Sequence, residues 1–507
     1  MLTQISRPFF LPRQQQIQRY ADEAEHIQRE VLRRLVSQAG QTAFGRQHGF
    51  SSISSYEDFR QQVPVGDYET HKDLIHRMRQ GEADLLWPGQ CHWFAKSSGT
   101  TNDRSKFIPV TQQGLRRLHY RGGTDAVALY LQGRPDARHF DGRSLILGGS
   151  FDPEACLPAS KAGDLSAVLI QNINPLVNLF RTPSKDIALL SDFEEKRERI
   201  AQAALHQDVR TLSGVPSWMM AVIKRVMELG GSDNLADIWP RLEVFWHGGV
   251  AFGPYREQYR QLIRSPRMQY METYNASEGF FGLQSDPADP AMLLMLDYDC
   301  FYEFQECTPG GGAGTAEPVP VWEVQPGRNY ALLITTSCGL WRYQIGDTLR
   351  FTQARPYKFL ISGRTKCFIN AFGEELMVDN AEQGLQTACK ATGLQVSEYT
   401  AAPVFMDAAG KCRHQWLVEF AAAAGEAPGP AAVADFAMKL DEALRHINSD
   451  YDAKRYRDIT LQPLEVRAVP PGTFDAWLKA HGKLGGQHKV PRLSNERRIV
   501  EEILAML

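Results

Sequence analysis

Apolar residues recur at helical spacing near the start of the chain. Over residues 14–40, Ile17, Tyr20, Ala21, Ala24, Ile27, Val31, Leu32 and Leu35 line one face and Gly40 supplies a stop, which predicts an amphipathic helix. Turn signals crowd residues 40–110, and a second helix is predicted over 115–131. Short apolar runs then end in small or turn-forming residues. These are Arg143-Ser144-Leu145-Ile146-Leu147-Gly148-Gly149, Leu242-Glu243-Val244-Phe245-Trp246-His247-Gly248-Gly249 and the run over 267–274. Helix is predicted over 191–229, interrupted at Gly214-Val215-Pro216. Strands alternating with helices predict an α/β domain. In such sheets ligands sit beyond the carboxyl ends of the strands.

Further along, the pattern turns β-rich over 292–302, 319–324, 330–337 and 349–352. The glycine-rich run at 309–315 reads as a hairpin connection, because no lysine or helix start follows it. A boundary near Ser362-Gly363-Arg364 separates a large unit, 1–362, from a small α+β unit, 363–507. The small unit should hold a strand over 416–420, a helix over 434–447, extended chain over 459–469 and a terminal helix over 495–506. The run 421–430 is of low complexity, and the composition of 482–486 predicts mobility. No internal repeat is present, and no heptad run imposes assembly, so a monomer fits the pattern.

Composition narrows the function classes. The chain has 507 residues, 43% hydrophobic and 23% charged, in keeping with a multidomain globular protein. A net charge of −3 argues against a nucleic-acid coat. No apolar run reaches the roughly 20 residues that span a bilayer, and the first 13 residues lack a signal core, so a cytoplasmic location without membrane contact is expected. Eight scattered cysteines without a C-x-x-C pair predict buried, reduced thiols.

Four constellations carry chemistry. Ser97-Ser98-Gly99-Thr100-Thr101 followed by Lys106 concentrates hydroxyls, a glycine and a cation, which suits phosphate, although the Walker A spacing is absent. Tyr274-Asn275-Ala276-Ser277-Glu278 follows a predicted strand, and its carboxylate could hold Mg²⁺ beside phosphates. Tyr343-Gln344-Ile345-Gly346-Asp347 offers an acceptor for two ribose hydroxyls. Lys489-Val490-Pro491-Arg492 follows a glycine-rich stretch and could deliver a lysine to a phosphoryl group. Taken singly, each also reads as a solvated turn or surface.

In this order the four motifs resemble those of the Gretchen Hagen family, the auxin-responsive acyl-acid amido synthetases of the acyl-adenylate-forming superfamily. The family's S-S-G-T-[ST] with a later lysine, its aromatic followed by S-E, its Y-R-x-G-D and its K-x-P-R are matched here, except that Gln344 replaces the arginine. Thr42-Ala43-Phe44-Gly45-Arg46, Val63-Pro64-Val65-Gly66-Asp67-Tyr68 and Gly363-Arg364-Thr365-Lys366 extend the similarity over most of the chain.

The resemblance implies a firefly-luciferase-like α/β architecture with a small mobile C-terminal domain pivoting at Arg364–Lys366, ATP and Mg²⁺ as cofactors, and two half-reactions. A carboxylic acid would be adenylated with loss of pyrophosphate, then transferred to the amine of an amino acid with release of AMP. It assigns Ser97, Ser98, Gly99, Thr100, Thr101 and Lys106 to the phosphates, and Ser277, Lys366, Asp347 and either Tyr343 or Tyr274 to the nucleotide. Glu278 would hold the metal, and Lys489 would reach the α-phosphate and acyl carboxylate. The acid is expected between the helix after Thr111 and the strand ends at Trp246, His247, Gly248, Thr335 and Thr336. A coenzyme A ligase, or a nucleotide-binding protein that keeps the fold without catalysis, remains an alternative.

Overall fold

The computed structural model describes residues 2–97, 106–250, 252–307, 314, 316–365, 368–374, 376–405, 412–421, 428–456, 461–481 and 490–507. They form two compact units, one of Met1–Ser97 with Lys106–Thr365 and one of Lys366–Leu507.

The helix expected over 14–40 is preceded by another. Leu2–Gln18 is already helical despite Pro8 and Pro12, and Tyr20–Ala39 follows. Polar contacts hold the first helix, which is why apolar periodicity missed it. Arg13 reaches Asp125 and Asp297, and Gln14 donates to the Ala128 carbonyl at 2.7 Å. The helix that carries Asp125 and Ala128 includes a π-type turn, Leu115–His119, and continues as Tyr120–Gly133.

Among the described residues a twelve-stranded sheet forms the centre of the large unit. Its order is Val319–Pro320, Cys300–Glu306, Asn329–Thr336, Tyr343–Ala354, Tyr357–Arg364, Met292–Leu294, Gly279–Gln284, Gln269–Ala276, Val244–His247, Val209–Gly214, Arg143–Ile146 and Arg181–Thr182. The last five run parallel and the rest antiparallel, joining a helix-covered α/β half to a β-rich half. Val209–Gly214 corrects the helical reading of 191–229: it is a central strand between the helices Phe193–Leu205 and Pro216–Gly230. Its β-branched Val209 and Thr211 favour extended chain, and its first four residues are buried. The run over 292–302 likewise splits, into Met292–Leu294 and Cys300–Glu306.

In the small unit, Val396–Val404, Arg413–Phe420 and Glu465–Val469 form a three-stranded sheet, with Val378–Thr392 and Pro430–Ile447 as its longer helices. The terminal helix is shorter than expected, Arg498–Leu504. The stretches 309–313, 422–427 and 482–486 lie outside the described residues. Cys91, Cys156, Cys300, Cys307, Cys338 and Cys389 are free thiols. No helix among the described residues is long and apolar enough to cross a membrane.

Candidate active site

The hydroxyl-rich segment joins a hairpin. Trp93–Ser97 pairs antiparallel with Lys106–Pro109, and Ser97 and Lys106 form the last matched pair. Ser98, Gly99, Thr100 and Thr101 lie outside the described residues. Tyr68 supports the second strand: its hydroxyl accepts from the Phe107 N–H at 3.0 Å, and Lys106 Nζ lies 6.0 Å from its ring centre.

Ser277 and Glu278 form the two-residue connection between Gln269–Ala276 and Gly279–Gln284, whose end residues Ala276 and Gly279 are paired. Glu278 is buried, and its carboxylate takes no side-chain hydrogen bond among the described residues. Burial pushes its pKa up to about 7, against the pull of Lys106 and Arg364. A buried carboxylate that takes only its own backbone N–H keeps acceptor capacity for a cation. No group of three or more metal-ligating side chains converges among the described residues. A single carboxylate together with substrate phosphates is a common donor set for Mg²⁺.

Asp347 is already engaged on both oxygens. Oδ2 accepts from the Tyr274 hydroxyl at 2.5 Å, and Oδ1 accepts from Arg364 Nε at 2.7 Å. Each oxygen keeps one further lone pair for an incoming hydroxyl. The sequence placed Arg364 only at the hinge; the structure makes it the register partner of Asp347 on the neighbouring strand. That partnership depends on strand pairing, which no local motif reveals.

The tyrosines are a correction. Tyr343 is 1% exposed, edge-on to His71, and Tyr274 is 6% exposed, edge-on to Phe281. Neither ring presents an open face for adenosine; the part of Tyr274 that meets the site is its hydroxyl. Gln344, the departure from the family pattern, fits the ladder: its N–H donates to the Gly66 carbonyl and its amide to Gln305. Just before it, Arg342 adopts φ +42°, rare for a non-glycine residue. Glu303 and the carbonyls of Arg60 and Val63 hold its guanidinium there, fixing the start of the Asp347 strand.

The expected acid contacts differ in the neighbours they meet. Successive strand residues point to opposite faces. Trp246 meets Tyr130 of the helix Tyr120–Gly133, with ring centres 5.5 Å apart. His247 instead stacks on Phe252 at 3.9 Å. Gly248 passes so close to the next strand that a Cβ there would lie 2.4 Å from the Thr273 carbonyl oxygen. Thr335 and Thr336 are fully buried six strands away, where their hydroxyls accept the N–H groups of Arg342 and Cys338.

Lys366 and Lys489 lie outside the described residues. The residues after Lys489 are firmly placed in the small unit. Val490 is buried with Ala402, Leu417 and Trp477, and the Pro491 carbonyl accepts from Thr400 at 2.7 Å. Arg492 pairs with Glu398 and lies over the Tyr399 ring.

With this geometry in view, the comparisons are specific. Residues 13–148 and 151–268, half of the chain, match the GH3 family N-terminal domain. The GH3 family central domain matches 293–364 and its C-terminal domain 379–498. The chain belongs to the GH3 family. Among curated GH3 proteins, indole-3-acetic acid-amido synthetase GH3.3 of Arabidopsis thaliana is 24% identical, over 94% of this chain and 90% of that protein. A probable indole-3-acetic acid-amido synthetase, GH3.1 of Oryza sativa subsp. japonica, is 26% identical over 94% and 88%. In the solved structures, a GH3.15 acyl acid amido synthetase in complex with 2,4-DB aligns with a TM-score of 0.60 at 19% identity, covering 97% of this chain and 95% of that one. A 2-hydroxyisobutyryl-CoA ligase aligns at 0.56 and 14%, covering 96% and 93%. The fold of this GH3 chain is therefore the α/β fold of adenylate-forming enzymes.

Proposed function

We propose that this GH3 protein activates a carboxylic acid with ATP and passes the acyl group to the amine of an amino acid. It is an acyl-acid amido synthetase, an AMP-forming ligase. In the first step a carboxylate oxygen attacks the α-phosphorus of ATP, the bond to the bridging oxygen breaks and pyrophosphate leaves. In the second the amine attacks the acyl carbon, AMP leaves with the C–O bond pair, and the amine proton passes to solvent.

The observation that carries this reading is the corner formed by Glu278, Tyr274, Asp347 and Arg364, toward which Lys106 also directs its charge. Two anions must meet in the first step, so positioning and charge neutralisation carry the catalysis. Asp347, steadied by Tyr274 and Arg364, accepts from the ribose hydroxyls. Lys106 and the hydroxyl-rich connection hold the phosphates. Glu278 holds Mg²⁺, which would neutralise phosphate charge when bound. Lys489, by its family resemblance, meets the α-phosphate. Trp246 belongs to the acid side, beneath the helix Tyr120–Gly133.

ATP–pyrophosphate exchange tests the reading against a panel of aromatic, indole and fatty acids. Acid-dependent exchange is expected. A second stage offers the adenylate twenty amino acids and coenzyme A, with products read by mass spectrometry. Amide products are expected. Thioester alone would make the protein a coenzyme A ligase, and exchange with no acid would overturn the proposal.

A further inference from the structure

Deepening the acid-activating reading, on which it rests, a second feature concerns which acids fit. The helical segment Leu115–Gly133 packs on the hairpin that carries Glu278. A Cβ on Gly279 would lie 3.0 Å from the Leu118 side chain, and one on Gly122 would overlap the Phe280 ring at 2.2 Å. At this tightly closed layer, four side chains hold buried polar atoms with no hydrogen-bond partner among the described residues. They are both ring nitrogens of His119, Asn275 Oδ1, Trp246 Nε1 and the Tyr130 hydroxyl. His119 is only 3% exposed; its polar neighbour is Asn275, whose weak hydrogen bond opposes the effect of burial but does not satisfy both ring nitrogens.

More than nine in ten buried polar groups in folded proteins find a partner, and each one left bare costs about 1–3 kcal/mol. Several bare groups along one helix–sheet interface therefore call for a partner from outside the chain. The four are not one cluster. His119 and Asn275 lie beside the reacting corner, since Asn275 directly follows Tyr274 and a bulge between the two re-aims its side chain. Tyr130 and Trp246 lie eleven residues further along the helix, roughly 16 Å away at 1.5 Å per residue.

We propose that His119 and Asn275 form a polar subsite for a neutral hydrogen-bonding group, a hydroxyl or ring N–H, carried by the acyl acid near its carboxylate. Burial pushes the His119 pKa down to about 4, so the imidazole is neutral at physiological pH, with one donor and one acceptor nitrogen. It therefore offers no charge to a second carboxylate. Asn275 adds an amide that can accept or donate. An acid lacking such a group leaves these atoms bare in the complex, and sites of this kind discriminate strongly against the analogue that cannot bond.

Matched acids provide the test: salicylate against benzoate, 4-hydroxyphenylacetate against phenylacetate, and indole-3-acetate against 1-naphthaleneacetate. The readout is kcat/KM in pyrophosphate exchange, for the wild type, His119→Phe and His119→Asn. The wild type should favour the polar member of at least one pair by about 10- to 100-fold. His119→Phe should bring that ratio near one, chiefly by losing the polar acid, while His119→Asn retains part of it. Thermal melting of both variants, read alongside, establishes that they fold. A wild-type preference for hydrocarbon acids, or an unchanged ratio in folded His119→Phe, overturns the subsite while leaving acid activation standing. Absence of exchange with these six acids and with the wider panel overturns acid activation itself.

Discussion

His247 separates a packing role from a substrate role by its pH behaviour. The ring is 1% exposed, stacked on Phe252 and near Phe245, and neither nitrogen finds a partner among the described residues. Burial, helped by Arg256, pushes its pKa down to about 3. In the unfolded chain a histidine titrates near 6.5. The folded value is the lower one, so the unfolded state binds the proton first as pH falls. The stability contribution is therefore intact above about 6.5 and is lost as pH drops toward the folded value. Each unit in that window removes about 1.4 kcal/mol. Between pH 7.5 and 5 the ring should thus remove about 2 kcal/mol. His247→Leu cannot titrate. Relative to wild type it should gain about 2 kcal/mol over that interval, whatever its offset at pH 7.5. His119, His139, Glu272 and Glu278 also have shifted pKa values, but they are common to both proteins and cancel. Equilibrium urea unfolding of both proteins at the two pH values measures the difference. A gap that stays constant within 0.5 kcal/mol would refute the buried, neutral imidazole. Acid-dependent exchange should stay within about threefold of wild type; a loss near 100-fold would put the ring back among the acid contacts.

Three further outcomes follow from the same geometry. Glu278→Gln keeps the shape but not the charge, and should lower pyrophosphate exchange by about 10²–10³ with a raised Mg²⁺ requirement; wild-type exchange at ordinary Mg²⁺ would remove Glu278 from metal binding. Lys489→Ala should lose a similar factor in exchange while binding a fluorescent ATP analogue almost as wild type does, and near-normal exchange would defeat its assignment. Arg342→Met leaves buried Glu303 with only the Tyr56 hydroxyl, and should cost about 3–5 kcal/mol in urea unfolding. A loss under 1 kcal/mol would mean that the Arg342–Glu303 pair does not hold the strained turn.

What could be read in the sequence was whatever local periodicity and local chemistry record. The strand ends at Gly148 and Gly248 and the main helix of the small unit emerge because each carries its own pattern. Val209–Gly214 did not, because it is six residues long and flanked by strongly helical sequence. The first helix is hidden in the sequence for a different reason. Its burial rests on Thr3, Gln14 and Ile17 and on the Arg13 ion pairs, so an apolar stripe is almost missing. The pairing of Asp347 with Arg364 depends on the register of two long strands, which only tertiary structure sets.

The same division explains the site. Of the residues whose chemistry is carried by a short motif, Glu278 lies in a hairpin connection directly after a strand, while Asp347, expected at a strand end, lies within the strand Tyr343–Ala354. Aromatic and histidine side chains near those motifs were ambiguous, because a ring suited to stacking on a base is equally suited to a core. Tyr343 and His247 went to the core. His119 has no motif around it and stands in a turn, Leu115–His119, that also carries Arg116 and Arg117, so the sequence gives no sign that it is buried. Its importance lies in what it lacks. A core can tolerate one bare polar group when packing compensates, but the weak His119–Asn275 contact leaves under-bonded atoms on both sides of one interface, on the strand that leads to Glu278. An apolar pair of the same shape would be the more stable choice for a purely structural layer. Keeping the polar pair there is a cost to folding that a hydrogen-bonding acid would offset on binding, which ties the choice of substrate to the stability of the empty enzyme.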